Sequence, residues 1–104
     1  MVRVRLEVWM WMGKDLGSDF QSLSEMGSVL DAGLEGGTSV RAFFRGLSSQ
    51  YPPIGQKIFN RETDQFYPNV VVTLNDRVIG LNEVYDRILQ EGDKIKVVPM
   101  YVGG

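Results

Sequence analysis

Gly92-Asp93-Lys94-Ile95-Lys96-Val97-Val98-Pro99-Met100-Tyr101-Val102-Gly103-Gly104 is the stretch on which the fold turns. Gly92-Asp93 marks a turn, and the alternation after it puts Ile95 and Val97 on one face of a strand that a core can anchor. Pro99 has no N–H to give, so strand pairing is expected to stop near it. The chain then ends on two glycines. Residues 100–104 therefore read as a flexible C-terminal tail, which spans at most about 17 Å when extended. Lacking Cβ atoms at its end, such an arm enters a channel too narrow for other residues. The alternative is an end that frays and has no task.

A chain of 104 residues suits a single domain, expected over residues 1–99, with a core that needs no staples. Eleven basic and thirteen acidic residues are interspersed, for a net charge of −2, so no nucleic-acid partner is expected. Nor is a membrane partner. No apolar run approaches the ~18 residues of a span, and Met1-Val2-Arg3-Val4-Arg5 lacks the apolar core of a signal peptide. A cytoplasmic location follows as the expectation. Cysteine and histidine are both absent. That removes disulfides, thiol chemistry, the commonest general base and the commonest metal ligand. The chain is therefore expected to be no enzyme and to hold no metal.

From Val2 to Met12 the sequence alternates. Val2, Val4, Leu6, Val8, Met10 and Met12 face one way, and Arg3, Arg5, Glu7, Trp9 and Trp11 the other, the period of a half-buried strand. Trp9 and Trp11 on the charged face read either as an interaction surface or as aromatics covered by a neighbouring segment. Residues 13–28 read as a long loop rich in Gly, Ser and Asp. Residues 29–35 have weak strand character.

Thr38 reads as a helix N-cap. Val40, Phe43, Phe44 and Leu47 follow at the spacing of one helical face. Burying them is worth roughly 6–12 kcal/mol gross, before chain entropy is subtracted. Pro52-Pro53 stops that helix. Ile58-Phe59 and Phe66-Tyr67 flank a short hairpin, whose Glu62 and Asp64 are too few for a calcium loop. Val70 to Leu74 is a β-branched strand, Asn75-Asp76 a turn, and Arg77-Val78-Ile79 the return. Between Leu81 and Gln90 a short helical turn is expected, with Leu81, Val84, Ile88 and Leu89 as its apolar contacts.

One amphipathic helix must cover one face of such a sheet. The element order is that of the ubiquitin-like β-grasp: an α+β fold with a mixed sheet of about five strands and one main helix. Particular residues resemble the MoaD/ThiS sulfur carriers: Thr38-Ser39-Val40 with Phe43-Phe44 and Leu47 through Tyr51-Pro52, then Val72-Thr73-Leu74-Asn75-Asp76-Arg77. Leu89-Gln90-Glu91-Gly92-Asp93-Lys94-Ile95, Pro99 and the final Gly103-Gly104 resemble them most. The tail departs from the family's usual Pro-Pro-x-Ala-Gly-Gly at Met100, Tyr101 and Val102, and the loops at 13–28 and 51–69 are longer.

That resemblance implies an E1-like adenylating partner of the MoeB/ThiF type, which uses ATP and Mg to activate Gly104. It also implies a synthase subunit or another acceptor that takes the sulfur. No cofactor is expected on the chain itself. A carboxylate is a poor electrophile, an acyl-adenylate is a good one, and Gly103 and Gly104 leave its carbonyl open to attack. A sulfur donor then gives a thiocarboxylate, of the kind used in molybdopterin-type biosynthesis. A lysine amine gives the isopeptide bond of a protein modifier, which stands as the alternative. A plain binding module with an idle tail is a third. Trp9, Trp11, Pro99, Met100, Tyr101 and Val102 are the expected partner-binding residues.

Overall fold

A computed structural model of the chain describes residues 1–10, 13–24, 26–80 and 83–100. The order is β1 (Val2–Trp9), α1 (Gly13–Leu16), β2 (Gln21–Ser22), β3 (Gly27–Leu34), α2 (Val40–Gln50), α3 (Pro52–Lys57), β4 (Phe59–Asn60), β5 (Gln65–Phe66), β6 (Val70–Leu74), β7 (Arg77–Ile79) and β8 (Lys94–Pro99). Six of the strands form one mixed sheet, ordered β2-β3-β1-β8-β6-β7, and β4 pairs with β5 apart from it. At the centre β1 and β8 run parallel, with Leu6 opposite Ile95 and Val8 opposite Val97. Parallel neighbours need a crossover. α2 lies in it and packs against one face, which makes the fold a ubiquitin-like β-grasp with more strands than the five expected.

Alternation decides what each face carries. Val4, Leu6, Val8, Val70, Val72, Ile95 and Val97 point toward α2 and share one core with Val40, Phe43, Phe44 and Leu47. Phe44 sits within an aromatic group, its ring centroid 4.8 Å from that of Phe66 and 5.4 Å from that of Phe43. The helix starts one residue later than Thr38 suggests. Ser39 is the N-cap, its Oγ accepting from the Ala42 N–H at 3.1 Å, while the Thr38 hydroxyl donates to the Glu35 carbonyl.

Other expectations change in the connections. β1 ends at Trp9 instead of running on to Met12. The segment read as a 13–28 loop holds α1 and β2, and it buries Leu16 and Phe20. Phe20 meets Tyr51 edge-on at 5.1 Å, so this segment is packed. Pro52-Pro53 does end α2, yet it also opens α3, because a helix's first turn needs no N–H there. Close contact of α2 and α3 depends on Gly55, where a Cβ would lie 3.1 Å from the Ser48 carbonyl oxygen. Val84 and Leu89 are buried as expected, whereas Ile88 is 42% exposed, and Leu81 lies outside the described residues. Among the described residues no helix is long and apolar enough to cross a membrane.

Candidate functional site

The strand end that carries the tail is built by register. Asn75 and Asp76 both have positive φ, 53° and 69°, and turn β6 tightly into β7. Asn75 then ties this turn to the start of β8: its Oδ1 accepts from the Lys94 N–H and its Nδ2 donates to Asp93, each at 2.9 Å. From there β8 runs antiparallel to β6, with Val98 opposite Val71 and Pro99 opposite Val70. Pairing does not stop at Pro99. Met100, expected in the tail, donates its N–H to the Asn69 carbonyl at 2.8 Å, with 49% of its surface exposed. Residues two apart point their N–H the same way, so Pro99 lacks its N–H on the β1 side, where the β1–β8 register has already ended at Val97. Proline costs the ladder nothing here.

The face away from α2 carries the polar partners of the alternation. One row crosses the sheet as Val29, Glu7, Lys96, Thr73 and Val78. Val78 is 73% exposed, and Glu7 only 8%. Glu7 is held from both sides: the Trp9 indole N–H donates to Oε1 at 3.0 Å, and Arg5 Nε lies 3.4 Å from Oε2. The Trp9 ring is half-buried, with the Lys96 ammonium 5.8 Å from its centroid. Its other support is Gly27, directly opposite in β3, where the ring occupies the space of a missing side chain.

Trp9 is therefore covered on one side and open on the other. Gly27 and the β2–β3 turn pack on it, yet it also lines an open recess of about 420 Å³ with Met26, Lys96, Val98 and Pro99. Trp9 and Pro99 are brought together; Met100 stays outside the recess. Trp11, Tyr101, Val102, Gly103 and Gly104 lie outside the described residues. Lys96 and Val98 were within reach of the sequence, since they alternate with Ile95 and Val97. Met26 carried no such signal. Among the described residues no group of three potential metal ligands forms, and Asp64 pairs with Arg45 at 3.2 Å.

Several solved structures share the fold. Small archaeal modifier protein 1 of Haloferax volcanii superposes with a TM-score of 0.69 at 16% identity, covering 98% of this chain and 99% of that one. A candidate molybdopterin converting factor, subunit 1, of Pyrococcus furiosus gives a TM-score of 0.67 at 17% identity, covering 97% and 100%. Small archaeal modifier protein 1 of Methanosarcina acetivorans gives 0.64 at 18%, covering 100% and 98%. No curated protein matches the sequence. The model of the ThiS family matches residues 28–104, from the second residue of β3 through both terminal glycines. The match takes in α2, β6 to β8 and the glycine tail, and the chain belongs to the ThiS family.

Proposed function

We propose that the chain is a sulfur carrier whose Gly104 is adenylated by an E1-like enzyme and converted to a thiocarboxylate. The observation that carries this reading is that the family match runs through Gly103-Gly104. In the proposed step a Gly104 carboxylate oxygen attacks the α-phosphorus of ATP and pyrophosphate leaves. A sulfide equivalent then attacks the acyl carbon, AMP leaves with the bonding pair, and a thiocarboxylate remains. Mg held with ATP by the partner neutralises phosphate charge. Without His or Cys the chain brings no imidazole and no thiol to this step. It acts as the enzyme's substrate in the cytoplasm and hands its sulfur to a synthase subunit or another acceptor in molybdopterin-type biosynthesis. Trp9, Pro99 and the strand end form the docking surface, with Trp11 and residues 100–102 completing it.

A second reading, conjugation of Gly104 to lysines as a protein modifier, is favoured by the two archaeal modifier proteins among the structural neighbours. Intact mass of protein isolated from its own cells separates the two. One oxygen exchanged for sulfur at the C-terminus supports the carrier, whereas isopeptide adducts on other proteins, with no thiocarboxylate, overturn it. Deleting Gly103-Gly104 is expected to abolish adenylation while leaving the melting temperature unchanged.

A further inference from the structure

The recess at the end of β8 is more specific than an apolar patch. Strand alternation places Arg3, Arg5, Lys94 and Lys96 on this face with Glu7 and Asp31, while Asp76 sits against Lys94, and Glu91 and Asp93 lie beside Arg3 and Arg5. Glu7 is already engaged by Trp9 and Arg5, and Lys94 by Asp76 at 3.0 Å. Among the described residues Lys96 makes no ion pair, and its ammonium lies over the Trp9 ring at the recess wall. The opposite wall is Met26, set by a turn in which Ser24 Oγ accepts from the N–H groups of Met26 and Gly27, each at 3.2 Å. That turn joins β2 to β3. A thioether wall is unbranched and polarisable, and it moulds to what it meets.

We propose that this recess seats one apolar side chain of a partner protein, that a carboxylate beside it on the partner pairs with Lys96, and that Met26 determines which apolar side chain fits. This rests on the reading that the open face docks a partner. Its occupant is defined by charge: an acidic neighbour is the complement of the Lys96 ammonium, which has no ion pair among the described residues, and a basic one is repelled.

A random peptide library displayed on phage is selected against the full chain, and winning peptides are titrated by Trp9 fluorescence in a Trp11→Phe background. The expected consensus is an aromatic or aliphatic residue next to Asp or Glu. Lys96→Glu is expected to weaken binding about tenfold and reverse its salt dependence, whereas Lys57→Glu on α3 leaves it unchanged. Met26→Ala is expected to enlarge the preferred apolar residue. Melting curves of each variant verify folding. No enrichment, a consensus without acid, equal effects of the two lysine variants, or an unchanged apolar preference in Met26→Ala each overturns the proposal. ATP-dependent adenylation of the wild type is measured alongside. If peptides behave as expected and adenylation is absent, the carrier reading fails and the recess stands; the reverse result sinks the recess alone.

Discussion

Gly27→Ala tests the packing beneath Trp9. The added Cβ would lie 2.7 Å from ring atoms Cε3 and Cζ3 and 3.0 Å from Cδ2 of Trp9. Carbon atoms rest at about 3.5–4.0 Å, so the indole must retreat by close to an ångström. These contacts are with the ring itself, which cannot flex away like the end of a chain. Retreat loosens the 3.0 Å bond to Glu7 and leaves that buried carboxylate half-served. Overpacking costs about 1–3 kcal/mol, and the weakened charge-assisted bond adds about 1 kcal/mol. Replacing glycine in a strand returns about 0.5–1 kcal/mol. The net expectation is a destabilisation of about 1–3.5 kcal/mol, read as a urea midpoint shift and a melting temperature lower by roughly 5–15 °C. Trp9→Leu provides the control. In that background Gly27→Ala should be neutral or stabilising, because the clashing ring is gone. Equal losses in both backgrounds, or no loss with Trp9 present, would refute the reasoning.

Three further outcomes follow from the same geometry. Phe44→Ala should lose about 3–5 kcal/mol in urea unfolding, since it empties the space between Phe43, Phe59 and Phe66 under α2; a loss under about 1 kcal/mol means the helix face is wrongly assigned. Asp76→Gly should gain about 0.5–1 kcal/mol by relieving a side chain held at φ 69°, the exposed pair with Lys94 contributing little; a net loss refutes the strain. Burial, and then the hydrogen bond Tyr51 donates to Asp19, raise the Tyr51 phenol above its ordinary value of 10.0. A raised value favours the neutral form in the fold, so this stability is complete below about pH 10 and is lost as pH rises through the higher folded value. Urea midpoints between about pH 9 and 11 should therefore fall, and less steeply in Tyr51→Phe; identical slopes count against the Tyr51–Asp19 bond.

The parts legible in the sequence are those whose two faces meet different surroundings. β1, β6 and β8 alternate because α2 covers one side only, and α2 repeats Val40, Phe43, Phe44 and Leu47 because it buries one stripe. Segments anchored by single residues were not legible. Leu16 and Phe20 are too sparse to set a period, although both are buried. Pro52-Pro53 carries opposite meanings for the helix before it and the helix after it, and only the stop was read. Thr38 and Ser39 both bear a hydroxyl, and which one caps depends on the turn from Glu35. Of the site, Trp9 and Pro99 were read from their own neighbourhoods. Met26 joins them only because Gly27 lies opposite Trp9 in β3, a pairing set by strand register.

The bond from the Met100 N–H to the Asn69 carbonyl acts as a mooring point. Four residues, Tyr101 to Gly104, lead from this bond to Gly104, and fully stretched they reach no more than about 14 Å. On the proposed function, in which Gly104 is adenylated, this length is a ruler laid on the activating partner. Measured from the contact that seats this strand end, the partner's bound nucleotide must lie within that radius. An adenylating enzyme whose nucleotide lies deeper must first unzip Met100 and Pro99 from β6, and each residue peeled away adds only about 3.5 Å of line.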